Sequence, residues 1–179
     1  MARFGMAIDT ARCVGCMDCV VACKTENNVP EGLNRDWIVY DAQGTFPTLH
    51  MEIRSERCNH CDSPPCVDCC PTGASHVQEF GTVVLVDKGQ CIGCKACVAS
   101  CPYDARFIHP EGYADKCTFC IHRVEAGLEP ACVAVCPTHC MTFGDLDDPN
   151  SDINRQLNSR QNHPLLSEAG TKPRIFYLT

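Results

Sequence analysis

The sequence lacks the features by which a protein spans a membrane or binds nucleic acid. No stretch approaches the about 18 consecutive apolar residues that a membrane helix needs. Aromatic residues make up only 7% of the chain and include one Trp, so there is no stacking platform for bases. Acidic residues (22) outnumber Lys and Arg (15), no basic run occurs, and the formal net charge is −7. We therefore expect no nucleic-acid partner and no direct membrane span.

The sequence also lacks the residue patterns of an enzyme. It contains no Ser/His/Asp or Cys/His constellation, no paired carboxylates in a recognisable frame and no phosphate-binding loop. We therefore expect no catalysis by this chain alone. Cysteine, in contrast, is abundant: 18 of the 179 residues, a level typical of a disulfide scaffold or a metal protein.

Sixteen of the cysteines form four groups along the chain. Groups one and three read C-x-x-C-x-x-C-x-x-x-C, the run of bacterial ferredoxins whose thiolates bind [4Fe–4S] clusters. Groups two and four open with C-x-x-C and end in C-V-x-x-C-P-T. The members in chain order are Cys13, Cys16, Cys19 and Cys23; Cys58, Cys61, Cys66 and Cys70; Cys91, Cys94, Cys97 and Cys101; and Cys117, Cys120, Cys132 and Cys136.

Zinc and disulfide bonds are the alternative uses of so many cysteines. A structural zinc site takes four ligands, usually from two C-x-x-C knuckles, and groups two and four taken alone fit that description. The third evenly spaced cysteine of groups one and three does not, because zinc has no use for it. Three cysteines spaced three residues apart also cannot each form a separate disulfide without severe crowding. The spacing therefore favours iron–sulfur clusters.

The alternation of the two group types indicates a duplicated ferredoxin-like unit. Residues 71–90 join groups two and three and read as two short strands around Gly81, the connector of a two-cluster ferredoxin. Groups two and three therefore pair, and by elimination groups one and four pair. Exchange of the fourth ligand within each pair predicts four quartets, each holding one [4Fe–4S] cluster: Cys58, Cys61, Cys66 and Cys101; Cys91, Cys94, Cys97 and Cys70; Cys13, Cys16, Cys19 and Cys136; and Cys117, Cys120, Cys132 and Cys23.

The predicted fold is α+β, with tandem bacterial-ferredoxin-like units and an inserted β-hairpin subdomain. The outer unit comprises residues 1–24 and 111–144, the inserted hairpin residues 25–57, the inner unit residues 58–110, and a polar tail for subunit contacts residues 145–179. Short helices are predicted at 20–24 and 98–101, and a further hairpin at 107–115. In the tail, Ile153 and Leu157 lie at helical spacing, and a terminal strand is predicted at 174–178.

Two cysteines are surplus to the quartets. We interpret Cys69 and Cys140 as buried small hydrophobic residues. Cys69 adjoins Cys70, but Pro71 favours Cys70 as the ligand, because a proline also follows the last cysteine of groups three and four.

Other polar residues adjoin the predicted ligands. His60 and His139 are expected to tune a cluster at most, since a full cysteine set is present. Four cations either offset cluster charge and raise potentials or are ordinary solvated side chains: Lys24, Lys95, Arg106 and Lys116.

Several motifs carry a family resemblance that extends over essentially the whole chain. They are CNHCDSPPC at 58–66, CPTGAS at 70–75, CPYDAR at 101–106, KCTFC at 116–120 and FGDL at 143–146. These motifs resemble the iron–sulfur (B) subunits of the molybdopterin (dimethyl sulfoxide reductase) oxidoreductase family, most closely those of polysulfide and thiosulfate reductases. Some members carry Trp where Cys94 stands and hold a [3Fe–4S] cluster, whereas this chain is expected to hold four [4Fe–4S] clusters.

The resemblance implies an electron-transfer subunit of a respiratory reductase of the polysulfide, thiosulfate or tetrathionate type. Its partners would be a molybdopterin-containing catalytic subunit, facing groups one and four, and a quinone-reactive integral membrane subunit, facing groups two and three. The alternatives are a subunit of a formate dehydrogenase or hydrogenase complex and a free soluble polyferredoxin. The resemblance also implies a peripheral position on the outer face of the membrane, by co-export with the catalytic subunit. The lack of a visible twin-arginine or apolar leader agrees with that position and equally with the cytoplasmic face.

Overall fold

The computed structural model describes residues 2–179. Short helices and small sheets alternate along these residues, and the predicted α+β class is confirmed. The strands are β1 (Phe4–Asp9), β2 (Asp36–Gln43), β3 (His50–Arg57), β4 (Ser75–Val77), β5 (Val84–Val86), β6 (Phe107–Ile108), β7 (Ala114–Asp115), β8 (Met141–Asp145), β9 (Asn162–His163) and β10 (Ile175–Leu178). The α-helices are α1 (Asp18–Asn27), α2 (Pro65–Asp68), α3 (Ala96–Ala99), α4 (Ile121–Glu125), α5 (Ala131–Ala134) and α6 (Asp152–Ser159).

The largest sheet joins both ends of the described chain. Its strand order is β8-β1-β10-β9, with β1 antiparallel to β8 and parallel to β10. Alternate residues face opposite sides, as in any strand. Met6 and Ile8 point into the main core, which contains cysteines of groups one, two and four, whereas Ala7 packs with Ile153 and Leu178 beneath α6. The sheet therefore supports the cysteine-rich layer on one face and α6 on the other.

The polar tail is folded onto the rest of the chain. The helical spacing of Ile153 and Leu157 is confirmed by α6, whose first turn is capped by the Ser151 hydroxyl. The predicted terminal strand is confirmed as β10, where Tyr177 is buried and donates a hydrogen bond to the carbonyl of Ser55 at 3.1 Å. A role of the tail in subunit contacts stays a prediction.

The predicted hairpins are also present. β2 and β3 pair from Asp36 with Arg57 to Gln43 with His50, and β6 pairs with β7. Strands β4 and β5 form the connector between groups two and three. Helices α1 and α3 both start inside their cysteine motifs, two residues earlier than predicted. α1 also runs on to Asn27.

Candidate metal centre

Three cavities are each lined by four grouped cysteines from two distant groups, and the first is also lined by Cys140. Each set coincides with one predicted quartet. The first cavity is lined by Cys13, Cys16, Cys19 and Cys136, the second by Cys70, Cys91, Cys94 and Cys97, and the third by Cys58, Cys61, Cys66 and Cys101. They are similar in size, with about 270, 330 and 310 Å³ of empty space, which includes space open to solvent. The fold thus brings these cysteines together, while their role as cluster ligands stays a prediction.

The fourth quartet, Cys23, Cys117, Cys120 and Cys132, is buried throughout. The Asn27 side-chain amide lies 3.7 Å from the sulfurs of both Cys23 and Cys120, which joins groups one and four. Burial raises the pKa of the Cys132 thiol to about 12, and its neighbours Cys120 and Cys23 act in the same direction. The four sulfurs therefore share one buried environment.

The cysteines surround volumes and do not converge on a point. Within residues 2–179, no three His, Cys, Asp or Glu side chains lie close enough to hold a single metal ion. A zinc–sulfur bond of about 2.3 Å would require such convergence. Four thiols around an empty volume are instead a donor set that fits a polynuclear cluster.

Left-handed backbone turns shape groups one and three in the same way. Gly15 and Gly93 have φ of 67° and 65°, and the residues two positions later, Met17 and Lys95, have φ of 67° and 66°. A Cβ on Gly93 would lie 2.3 Å from the carbonyl oxygen of Gly112, so only glycine fits there. Non-glycine residues held in this conformation are typical of functional sites, where the surrounding structure offsets the strain.

Backbone amides also point at the sulfurs. The amide of Ser75 donates to Cys70 at 3.4 Å, and the amide of Ala114 donates to Cys91 at 3.3 Å. Hydrogen bonds of this kind stabilise a thiolate and are one of the means by which proteins set cluster potentials.

Two buried cations provide a test of whether anionic clusters fit these cavities. Arg106 and Lys116 are 4% and 1% exposed, and the titratable groups near them are cysteines and, for Lys116, Arg106, but no carboxylate. Arg106 donates to Cys66 Sγ at 2.9 Å, while its Nε and Nη1 have no partner within the described residues. A buried, unpaired cation costs several kcal/mol. Four thiolates around a core of charge +2 would carry −4 + 2 = −2 and offset that cost.

The base of the β2–β3 hairpin forms a second polar contact with the cysteines. Arg57 is buried, pairs with Asp36 at 3.1 Å and donates to Cys132 Sγ at 2.9 Å. Ser55 accepts a hydrogen bond from Arg57 and lies 3.8 Å from Cys19 Sγ. The hairpin base therefore contacts one cysteine of the first cavity and one of the buried fourth quartet.

His60 and Phe119 stack face to face at the junction of groups two and four. Each is the third residue of its C-x-x-C motif, each has a positive φ (44° and 52°), and the ring centroids are 3.8 Å apart. Burial lowers the pKa of His60 well below its usual value, and Lys116 and other nearby cations act in the same direction. His60 is thus a neutral packing residue between the two halves of the duplication.

The other predicted tuning residues separate into buried and exposed ones. Lys95 and His139 are exposed, and Lys24 is half-buried with its ammonium on the carbonyls of Pro30 and Leu33. Among the surplus cysteines, Cys69 lies 3.3 Å from Ser100 Oγ outside the three cavities, whereas Cys140 lines the first cavity.

Two buried arginines beside the cysteines, Arg57 and Arg174, were not predicted from the sequence. The position of Arg57 could have been predicted from the internal repeat, because Arg57 directly precedes Cys58 of group two as Lys116 directly precedes Cys117 of group four. Arg174 lies far from any cysteine in sequence, and no local pattern marks it.

None of the helices formed by residues 2–179 has the length and apolar character needed to cross a membrane.

Comparison with known proteins identifies the family. Two 4Fe-4S dicluster domain families match, one over residues 49–146 and the other over residues 12–75. Protein NrfC of Escherichia coli is 45% identical over 97% of this chain and 79% of its own length. The B subunit of tetrathionate reductase from Salmonella typhimurium is 46% identical (98% and 72%), and that of polysulfide reductase from Wolinella succinogenes is 42% identical (97% and 93%). The predicted resemblance is thereby confirmed, and the protein belongs to the 4Fe-4S dicluster family that includes the iron–sulfur subunits of respiratory reductases.

Proposed function

We propose that this chain is a non-catalytic electron-transfer subunit that holds four [4Fe–4S] clusters and connects a quinone-reactive membrane subunit with a molybdopterin-containing catalytic subunit. Each cluster, when bound, takes up and returns one electron. The sixteen grouped cysteines would hold the clusters in the four quartets given above.

The observation that carries this proposal is the assembly of each quartet from two groups that are distant in sequence. Three cysteines of a group share a quartet with the last cysteine of its paired group, which is the exchange that two-cluster ferredoxins use. The buried, carboxylate-free Arg106 and Lys116 add an independent electrostatic requirement for negative charge in the same places.

Shared neighbours support a continuous series of four sites. The hairpin base contacts Cys19 of the first quartet and Cys132 of the buried one. Lys116 lies near Cys117 of the buried quartet and Cys58 of the next. Arg106 contacts Cys66 and also lies near Cys97 of the last quartet, so each site has a side chain in common with the next.

The two ends of this series reach the surface in apolar surroundings. Cys16 is exposed beside Val14 and Met17, which are 60% and 49% exposed, and Cys94 is exposed beside Ile92, which is 67% exposed. Exposed apolar surface of this kind marks contact sites. It supports a docked subunit with a partner at each end in preference to a freely diffusing carrier.

The relatives support a terminal acceptor that is a sulfur compound. Two of them are named as subunits of tetrathionate and polysulfide reductases, and we propose a respiratory reductase of that type. The complex would place this chain peripherally on the membrane, with the outer face as the proposed side.

Anaerobic purification tests the proposal. We expect brown protein with about sixteen irons per chain, because four cubanes each contain four irons. Native purification should also recover molybdenum with a larger subunit. Colourless protein, or protein containing zinc, would overturn the cluster assignment, and a stable iron-loaded monomer without molybdenum would support the free polyferredoxin instead.

A further inference from the structure

Cys140 has no assigned role, yet it lies at a proposed cluster site. It is 3% exposed and lines the first cavity together with the four cysteines of its quartet. Its sulfur is 3.5 Å from Cys136 Sγ, and Cys13 lines the same cavity. This surplus thiol therefore contacts one proposed ligand and shares a cavity with the other three.

The internal repeat shows what distinguishes Cys140 from its counterparts. Cys140 follows Cys136 by four residues, and the equivalent positions after Cys70 and Cys101 are occupied by Ala74 and Ala105, both buried. Ala74 lines the second cavity as Cys140 lines the first. The preceding threonines are equivalent as well, with Thr138 Oγ1 3.6 Å from Cys136 Sγ and Thr72 Oγ1 3.8 Å from Cys70 Sγ. At this position the first cavity thus has a thiol where the second has a methyl group.

We propose that the Cys140 thiol is a hydrogen-bond donor to the ligand sulfur of Cys136 and raises the reduction potential of the cluster in the first quartet. The inference rests on the proposed function, since it requires a cluster at that site. Cys140 acts through the ligands and is a positioning and tuning residue, not a fifth ligand.

Cys140 is the donor in its contact with Cys136. When a cluster is bound, Cys136 is a thiolate without a proton, so only the Cys140 thiol can donate across the 3.5 Å Sγ–Sγ contact. A reduced cluster carries one more negative charge than an oxidised one, and a donor to its sulfur stabilises the reduced form more.

Cys140→Ala is the central variant, because the chain itself places Ala at the equivalent position of the second cavity. Losing the donor should shift the oxidised–reduced equilibrium of one cluster about three- to tenfold toward the oxidised form, or about 30–60 mV at 59 mV per tenfold. EPR-monitored redox titration of the purified chain measures this shift. Cys140→Ser keeps a donor, so its midpoint potential should lie close to that of the wild-type protein. Ala74→Cys adds a donor at the second cavity and should raise the midpoint potential of the cluster there.

The outcomes are distinguishable. One lowered midpoint potential in Cys140→Ala, with about sixteen irons retained, supports the proposal. Four unchanged potentials with full iron content overturn it and leave the proposed function intact. Loss of iron, or a three-iron EPR signal, in Cys140→Ala also overturns it, because Cys140 would then be a ligand. Wild-type protein without any cluster signal would refute the proposed function itself.

Discussion

Removing the charge of Arg106 should lower the potential of one cluster. Arg106 is 4% exposed, donates to Cys66 Sγ at 2.9 Å, and is surrounded by cysteines without a carboxylate partner. Its charge therefore stabilises the extra electron of the reduced cluster without being neutralised by another side chain. The substitution Arg106→Gln removes the charge but keeps a side-chain donor.

The structure sets the magnitude. A unit charge 2.9 Å from Cys66 Sγ interacts with a full electron there by about 5.7 kcal/mol at an effective dielectric constant of about 20. If that electron is shared evenly by the four ligand sulfurs, the Cys66 share is about 1.4 kcal/mol. Because a tenfold change of a one-electron equilibrium is about 59 mV, we expect a decrease of about 60 mV in one midpoint potential.

A matched control separates local from overall charge. Lys95→Gln removes the same charge next to Cys94, but Lys95 is exposed and screened by solvent, so its effect should be much smaller. Arg106→Lys keeps the positive charge, so its midpoint potential should stay close to that of the wild-type protein. EPR-monitored titration under anaerobic conditions resolves the change. Equal shifts in Arg106→Gln and Lys95→Gln, or no shift in either, would refute the electrostatic reasoning.

Three further predictions follow from the same contacts. Cys94→Trp should convert one cubane to a three-iron cluster visible in the oxidised EPR spectrum, and a silent spectrum with unchanged iron content would show that Cys94 is not a ligand. Asp36→Asn should destabilise the fold by about 3–5 kcal/mol because it breaks the buried pair with Arg57. Asp41→Asn, at the exposed partner of Arg54, should cost less than about 1 kcal/mol, and anaerobic thermal unfolding compares the two. Removal of the clusters by oxidant and chelator should abolish cooperative unfolding, as followed by circular dichroism, since metal binding supplies folding free energy.

The sets of cysteines that line the three cavities could be predicted from the sequence because cysteine spacing is a local constraint. Three thiols at i, i+3 and i+6 can surround one cluster only if the backbone turns tightly between them. The residues that permit those turns, such as Gly15 and Gly93, therefore stand inside the motif. The pairing of distant groups followed from the connector at 71–90, whose strands β4 and β5 are present as predicted. The short hairpins were predictable for the same reason, since each depends on neighbouring residues.

The electrostatic environment of the cysteines was less predictable. Lys95 and Lys116 both adjoin a cysteine in sequence, yet one is exposed and the other is 1% exposed. Adjacency along the chain does not determine burial, which depends on which elements pack over the side chain. Arg174 shows the limit most clearly. It reaches the carbonyls of His60 and Gly81 only because β10 is inserted beside β1, a pairing between opposite ends of the chain.

That pairing changes how the tail is understood. A polar segment after residue 145 looks separable from a compact duplicated unit, but β10 contributes fully buried Ile175 and Leu178 to the sheet that supports the first and fourth cysteine groups. Cys66 of group two and Cys97 of group three lie instead in a smaller core that includes Val84 of the β4–β5 ribbon and Ala114 of the β6–β7 ribbon. The two halves of the duplication therefore differ in the strands that pack against their cysteines as well as in their hydrogen bonds to sulfur. Cys140 and Ala74 nevertheless occupy equivalent places in the repeat, because each directly precedes a strand, β8 or β4, and the carbonyl of each accepts a hydrogen bond from an aspartate amide, Asp9 or Asp87. The thiol is therefore what distinguishes the two positions.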